Sequence, residues 1–379
     1  MRLSEFDFDL PPELIAQEPP PQRGTSRLLT LDRETGAIGD RRFADLPDLL
    51  RPGDLLVIND TRVFAARLIG RRLPGGGAVE CLLLRRLGTT GSGGDSPPID
   101  GDSPPVSSSP VSGAEPPVSE ETWEALVHPG QRLKAGSRVQ FEGAAHVIRG
   151  EVLDRRFHGR RAVRLTSATG TITQAIDAIG HVPLPPYVKR SDESSDRERY
   201  QTMFARARGS VAAPTAGLHF TPELIAALDA RGIERTSITL HVGYGTFKPI
   251  RTDDVMQHEM DEEHYDVPSA AADVINRALR EGRRIVATGT TTTRALESAV
   301  SNEGLIVPGP SATRLFIVPG HRFRVVAALM TNFHLPRSSL LLLVSAFAGR
   351  DRVLAAYRHA VRERYRFYSY GDAMLVQGA

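Results

Sequence analysis

Residues 284–297 read Arg284-Ile-Val-Ala-Thr-Gly-Thr-Thr-Thr-Thr-Arg294-Ala-Leu-Glu297, a short apolar run, a glycine, and a threonine-rich opening to a helical pattern. A strand that passes through glycine directly into a helix is the repeating unit of an α/β fold. Upstream, Ser269–Glu281 has helical spacing with Val274, Ile275, Ala278 and Leu279 turned inward, and Gly282 leads into the strand. The same order recurs elsewhere. Thr221-Pro-Glu supplies an N-cap threonine, a first-turn proline and an early acid; Leu224, Ile225 and Leu228 form the helix's apolar stripe, Gly232 stops it, and Ile238–Val242 follows as a strand. Val325–Met330 runs through Thr331–Pro336 into the apolar helix Ser339–Ala348. Leu55-Leu-Val-Ile-Asn59 is a buried-type strand, and Leu28–Leu31 and Ala37–Phe43 flank a Glu-Thr-Gly turn.

Residues 62 to about 165 follow a different rule. Val63–Leu68, Val79–Leu84, Thr122–Val127, Arg138–Phe141, His146–Leu153 and Arg161–Leu165 are short strand-like runs, punctuated by Pro129-Gly130 and by glycines at 136, 143, 150 and 159. Regular short strands of this kind predict a small barrel or sandwich. Residues 88–120 are almost wholly Gly, Ser, Pro, Asp and Thr, with Gly-Asp-Ser-Pro-Pro occurring at 94–98 and 101–105, and are predicted to be a disordered insert in one hairpin. The expectation is a discontinuous α/β main domain, 1–61 and 166–379, carrying an inserted all-β barrel-like domain at 62–165.

With one cysteine, Cys81, the chain excludes an internal disulfide and a cysteine-based metal site. The N-terminus lacks a basic-then-apolar leader, and the longest apolar run, Leu340 to Ala348, is too short to span a bilayer. A cytoplasmic protein without membrane contact, and a monomer, is expected. Residues 87–121 hold six acids and no Lys or Arg, net −6, which leaves the other residues at +8 within an overall +2. Arginines cluster at 62–72, 155–164 and 350–366. Such clusters suit a polyanion such as RNA, or form a solvated arginine-rich surface.

Several polar motifs sit beside these apolar runs. Gly289-Thr-Thr-Thr-Thr-Arg294 offers backbone N–H groups and hydroxyls at a helix N-terminus, where an anion or ribose hydroxyl binds, or where threonines only cap. No Gly-x-Gly-x-x-Gly follows a strand, so a dinucleotide fold is not indicated. His219, His241 and His334 each lie among small and hydroxyl residues beside an apolar stretch, as general bases or as turn-bonded histidines. Their separation, and the spacing of six between His258 and His264, argue against a metal. Asn59-Asp-Thr-Arg62 ends a strand at the junction of the two predicted domains, where sites form, or makes an Asx-type turn with Asp60 paired to Arg62. Gly180-His-Val-Pro-Leu-Pro-Pro-Tyr187-Val-Lys-Arg190 is a stiff extended loop ending in an aromatic and two cations, suited to an unstacked RNA base.

Taken with Asp196-Arg-Glu-Arg-Tyr-Gln-Thr202, Ala212-Ala-Pro-Thr-Ala-Gly-Leu-His-Phe-Thr221, Thr331-Asn-Phe-His-Leu-Pro336 and Tyr365-Arg-Phe-Tyr-Ser-Tyr-Gly-Asp-Ala-Met-Leu375, these motifs closely resemble the S-adenosylmethionine:tRNA ribosyltransferase-isomerase family of queuosine biosynthesis. The resemblance runs essentially end to end. It implies transfer of the ribosyl part of S-adenosylmethionine onto 7-aminomethyl-7-deazaguanine at the tRNA wobble position. Isomerisation would give epoxyqueuosine, with release of adenine and methionine. It implies partners tRNA and S-adenosylmethionine, the latter a consumed substrate, and no cofactor or metal. Its implied fold agrees with the α/β domain and inserted barrel read from the residues. Three features depart from the family pattern: the length of the 88–120 insert, Tyr244 where an aliphatic residue is expected, and Arg314 where an acid is usual.

The residue roles expected are these. His219, His241 or His334 serves as general base or acid, with Asp60 in the catalytic set. Asn59, Arg62, Thr215, Gly217, Gly243, Gly245, Thr246 and Asn332 bind or orient substrate, while Thr290 and Arg294 meet its methionine or ribose end. Arg67, Tyr187, Lys189 and Arg190, with Arg62, hold tRNA. A non-catalytic RNA-binding module is the alternative, and a histidine-metal hydrolase a third reading.

Overall fold

The computed structural model describes residues 1–87, 119–156, 159–247 and 250–378, without the side chains of Thr246 and Phe247. The predicted 88–120 insert therefore lies outside the described residues except for its last two. Strands β1 (Arg27–Asp32), β2 (Ile38–Arg42), β3 (Leu55–Asn59) and β4 (Thr61–Val63) come first. Then follow β5 (Arg67–Leu73), β6 (Ala78–Leu87), β7 (Ser119–His128), β8 (Arg138–Gly143), β9 (His146–Arg155) and β10 (Arg160–Ser167). The remainder are β11 (Ala207–Ser210), β12 (Glu234–Leu240), β13 (Glu263–Val267), β14 (Ile285–Thr288), β15 (Gly309–Thr313), β16 (Ala328–Asn332) and β17 (Ala373–Gln377).

Nine strands form one mixed sheet in the order β15-β13-β12-β3-β14-β16-β17-β1-β2. Its centre, β12-β3-β14-β16, is parallel throughout. β3, β14 and β16 are buried at every position, as parallel strands covered on both faces must be. Their side chains alternate between two cores. Leu55 and Val57 of β3, Ile285 and Ala287 of β14 and Leu329 of β16 face one core, packed against helices Ser269–Arg280, Thr290–Ala299, Ser339–Ala348 and Arg350–Arg362. Leu56, Ile58, Val286, Ala328 and Met330 face the other, under helix Pro222–Ala230. A one-residue slip of any central strand would exchange its two faces, so the alternation also fixes register.

Because the central strands share one direction, Asn59, Leu240, Thr288 and Asn332 end on the same edge of the sheet. β17 runs antiparallel to β16, pairing Ala373 with Asn332, so the segment before β17 reaches that edge too. Ligands of open α/β sheets bind outside the carboxyl ends of the strands, and every motif just quoted from 241 onward follows or borders such an end.

β10-β7-β6-β5-β8-β9 close into a six-stranded antiparallel barrel, β9 pairing with β10. Leu68, Val79, Leu83, Phe141, Ile148 and Leu165 fill it, and helix Ile172–Ile179 adds Ile172, Ala175 and Ile176. Thr171 caps that helix by accepting from the Gln174 N–H, while Gln174 returns a bond to the Thr171 N–H. Cys81 is buried in this core, its thiol pushed up to about 12 by desolvation, so it behaves as a small apolar residue.

The predicted strand Val63–Leu68 is two strands. β4 pairs with β11 and β5 enters the barrel, with Phe64, Ala65 and Ala66 crossing between them. β13 (Glu-His-Tyr-Asp-Val) and β15 (Gly-Pro-Ser-Ala-Thr) carry no apolar run and are defined by pairing at one end of the sheet, whereas β17, Ala-Met-Leu-Val-Gln, is an apolar strand inside it that the sequence reading did not single out. Among the described residues no helix is long and apolar enough to cross a membrane.

The two bodies meet where Arg67 and His181 exchange backbone hydrogen bonds of 3.2 and 2.8 Å. Gly180 precedes this contact, and a Cβ there would lie 2.1 Å from the Ala65 carbonyl oxygen and 2.5 Å from that of Ile176. Neither backbone can retreat without opening the junction. Gly180→Ala is expected to destabilise the fold by about 1–3 kcal/mol, the usual cost of overpacking, read as a lowered thermal midpoint in calorimetry; an unchanged midpoint would show that the junction yields.

Candidate active site

The carboxyl ends of β3 and β12 are joined by side chains. Asn59 Nδ2 donates to the Leu240 carbonyl at 2.9 Å, and Asn59 Oδ1 accepts from the backbone N–H groups of Leu240 at 3.0 Å and Thr61 at 3.1 Å. Asp60 accepts from Thr239 Oγ1 at 2.6 Å and from Arg206 Nη2 at 3.0 Å. The alternative pairing of Asp60 with Arg62 does not form: on β4 Thr61 and Val63 are buried and Arg62 points out. His241 Nδ1 bonds Thr61 Oγ1 at 2.7 Å, and its ring lies so close to Gly209 that a Cβ there would meet it at 2.7 Å. Asn59, Asp60, Thr61 and His241 thus form one polar knot.

A second group gathers around Asn332. A narrow pocket of ≈ 40 Å³ is lined by Pro214, Thr215, Thr290, Asn332, His334 and Tyr368 among others. It unites four motifs that are far apart in sequence. Gly289, with φ +94°, turns β14 into helix Thr290–Ala299 at its wall. Asn332 Nδ2 donates to the Tyr368 carbonyl at 3.0 Å and approaches His219 Nε2 at 3.2 Å; His219 Nδ1 meets Ser26 Oγ at 2.9 Å. His334 Nε2 bonds Thr331 Oγ1 at 2.9 Å, while its backbone N–H donates to the Tyr357 hydroxyl. Gly217 packs behind the pocket, where a Cβ would meet Thr202 Cγ2 at 2.8 Å.

Arg294 does not reach this pocket's lining. Its Nη1 pairs with the Glu263 carboxylate in the interior and its Nε donates to the Leu315 carbonyl at 3.0 Å. Glu263 Oε1 also accepts the Gly243 N–H at 3.1 Å, so the pair ties the 243–245 turn to the sheet. Thr292 and Thr293 donate back to the carbonyls of Thr288 and Gly289 four residues earlier, and no side chain caps the helix N-terminus. A Cβ on Gly245 would come within 2.4 Å of Asp261 Oδ2; the Thr246 side chain lies outside the described residues.

Next to the pocket, across the Val211–Ala213 segment, a cleft of ≈ 430 Å³ opens between barrel and sheet. Arg67, Glu80 and Leu82 of the barrel face Pro183–Pro186, Lys189, Arg190 and Tyr244. Two of its cations are already paired: Arg67 grips Glu80 at 2.9 and 3.0 Å, and Arg190 grips Asp196 at 2.7 and 2.9 Å. Burial works to raise the Asp196 carboxyl, but Arg190, the Glu193 N–H and the Tyr370 hydroxyl together hold it below its ordinary range. Lys189 is exposed. Tyr187 turns inward, its hydroxyl bonded to Ser369 Oγ and its ring edge-on to Tyr368. Arg314 is exposed and meets Glu262 at 3.2 Å.

Burial lowers all three histidines from 6.5: His219 to about 4, His241 to about 4, with His264 adding to the effect, and His334 to about 3. Each is a neutral imidazole near pH 7. The Tyr368 carbonyl fixes the Asn332 amide with its N–H side toward His219, so His219 accepts at Nε2 and donates from Nδ1 to Ser26. His334 presents a ring nitrogen, Nδ1, that has no partner among the described residues, where no group of three or more His, Cys, Asp or Glu gathers as for a metal. The sequence reading gave no role to Ser26, Thr61, Thr331 and Glu263, which orient the expected residues; Thr61 and Thr331 stand inside quoted motifs, but which partner a hydroxyl or carboxylate bonds leaves no local signal.

This geometry belongs to a described class of protein. A family model for queuosine biosynthesis protein matches residues 3–376. Relatives named S-adenosylmethionine:tRNA ribosyltransferase-isomerase include one from Syntrophotalea carbinolica, 48% identical over 99% of this chain and 100% of its own, and one from Anaeromyxobacter sp., 49% identical over all of both. A solved S-adenosylmethionine tRNA ribosyltransferase from Thermotoga maritima is 36% identical, covers 98% of this chain and 100% of its own, and superposes with a TM-score of 0.50. The chain belongs to the S-adenosylmethionine:tRNA ribosyltransferase-isomerase family of enzymes.

A histidine held neutral by burial stabilises the fold fully above its unfolded value of 6.5, and that contribution is lost as pH falls toward its folded value. Between about pH 6.5 and 4 the folded chain binds fewer protons than the unfolded one. The thermal midpoint is expected to fall steadily across that window, and His334→Gln to flatten the slope; an unchanged slope in pH-dependent calorimetry would refute the assignment.

Proposed function

We propose that this chain moves the ribosyl part of S-adenosylmethionine onto 7-aminomethyl-7-deazaguanine at the tRNA wobble position and isomerises it to epoxyqueuosine, releasing adenine and methionine. The observation that supports this best is a narrow, mostly apolar pocket lying next to a wide cleft, with the Val211–Ala213 segment between them. The small substrate inserts one end into the pocket, and the nucleic acid lies in the cleft. S-adenosylmethionine is consumed as a substrate, and no cofactor is called for.

The chemistry needs a base to take a proton from the carbon beside the sulfonium, a donor for the leaving adenine and an acceptor for the attacking amine's proton. His334 is the histidine we assign to proton transfer. It is neutral, lines the pocket, and keeps Nδ1 unengaged while Thr331 holds Nε2. Thr215, Thr290 and Asn332 line the space a substrate would fill. His241 and Asp60 act from the neighbouring knot by fixing the strand ends. Arg62 and Lys189 contact tRNA phosphates, while Arg67 and Arg190 shape the cleft through their pairs with Glu80 and Asp196.

Incubation with S-adenosylmethionine and tRNA carrying 7-aminomethyl-7-deazaguanine is expected to release adenine and yield epoxyqueuosine, followed by chromatography and mass. Bound tRNA without adenine release would overturn the reading. His334→Ala should lower the rate of adenine release about 10²–10⁴-fold, the usual weight of a proton-transfer group, with S-adenosylmethionine affinity little changed. For Lys189→Ala, tRNA affinity should fall and its log–log salt slope should flatten by about 1; filter binding across a salt series reads both.

A further inference from the structure

We infer that the side-chain carbonyl of Asn332 is the acceptor that reads the exocyclic amino group of the adenine base of S-adenosylmethionine, with the Tyr368 and Asp372 main-chain carbonyls holding the amide in that orientation. The inference rests on the reading of the pocket proposed above and goes further in assigning one atom of the protein to one group of the substrate.

Asn332 ends β16 at the pocket and is 2% exposed. Its amide nitrogen is surrounded by acceptors: the Tyr368 carbonyl at 3.0 Å, His219 Nε2 at 3.2 Å and the Asp372 carbonyl at 3.5 Å. Turning the amide over would set its oxygen against two carbonyl oxygens, so the orientation is fixed. Its oxygen, Oδ1, is buried and has no hydrogen-bond partner among the described residues. Most buried acceptors in native proteins are paired, and one left without a protein partner at the wall of a pocket is open to a donor from a ligand or an ordered water. Tyr368 is itself held in the left-handed region, φ +76°, by its N–H bond to the Phe333 carbonyl at 3.0 Å, and that conformation aims its carbonyl at Asn332. His219, lodged between Ser26 Oγ and the Phe43 ring, completes the clamp.

S-adenosylmethionine brings three kinds of donor. The methionine ammonium would be desolvated in a pocket whose lining includes no carboxylate. Ribose hydroxyls belong to the part that must meet the tRNA base in the neighbouring cleft, so they cannot be carried into a narrow pocket. The adenine amino edge is flat, neutral and donates N–H. Ala213, Val242, Phe333, Leu340 and Tyr368 offer apolar walls for the base, and ≈ 40 Å³ suits a ring edge rather than a whole nucleoside. A hydrogen bond into a buried amide discriminates strongly against an analogue that lacks the donor, because that analogue leaves the acceptor unpaired.

The test is calorimetric titration of the full-length protein with S-adenosylmethionine and with its purine counterpart lacking the amino group. Wild type is expected to bind the amino form at least about tenfold more tightly, the range for one such bond. Asn332→Ala should bind the two within about twofold, removing the same bond. His219→Ala, which removes one of the three acceptors on the amide nitrogen and leaves both carbonyls in place, should keep most of the preference, so that a loss confined to Asn332→Ala marks the Oδ1 contact itself. Equal binding of both ligands by wild type, or a preference that survives Asn332→Ala, overturns the inference. If wild type shows no preference yet still releases adenine on turnover, only this assignment fails. If it neither binds S-adenosylmethionine nor releases adenine, the proposed function fails with it. Should Asn332→Ala not fold, as judged by circular dichroism, the wild-type ratio decides.

Discussion

The parallel run β12-β3-β14-β16 is the constraint on which the rest depends. Of these, β3, β14 and β16 are buried on both faces and cannot carry polar side chains along their length, so their polar residues collect where the strands stop. With a common direction these stops lie on one edge. Asn59, His241, Gly289 and Asn332 are therefore neighbours although the sequence scatters them over more than half the chain.

That edge divides its polar groups between two tasks. At β3 and β12 the hydrogen-bonding capacity of Asn59 and Asp60 is directed inward, joining strand to strand and loop to loop. The buried Arg294–Glu263 pair does the same for the Gly243 turn. Removing one partner of such a pair leaves an uncompensated buried charge, at a cost of about 3–5 kcal/mol. At β16 the arrangement differs. Asn332 uses its N–H groups on the protein and leaves its oxygen, while His334 uses one ring nitrogen and leaves the other. Incomplete satisfaction there, beside complete satisfaction at β3, separates groups that hold the fold from groups left for a ligand.

The barrel contributes a wall and a spacing. Arg67 and Glu80 project from its first two strands toward the proline-rich 183–186 segment, and the cleft width depends on the short contact at Arg67, Gly180 and His181. Because Arg67 and Arg190 are neutralised by their carboxylate partners, charge in the cleft comes chiefly from Lys189, one of three lysines in a chain with 44 arginines. The arginine clusters counted along the sequence overstate the free positive charge, since pairing across strands cannot be seen from spacing.

The sequence by itself determined the local units: the buried strand Leu55–Asn59, the capped helix at Thr221-Pro222, the glycine turn at 289 and the alternating barrel strands, because propensity, capping and periodicity act between residues close in the chain. It also placed the polar motifs at strand ends and, through long motifs in a family's order, carried the family. Tertiary structure alone decided the partners. That Asp60 meets Arg206, that Asn332 meets His219, that Arg294 turns to Glu263, and that β17 reverses to bring Tyr368 to the pocket all depend on atoms 30 to more than 100 residues apart. Hydrogen bonds are short-ranged and directional, so which donor finds which acceptor is settled only when packing has set the strands side by side.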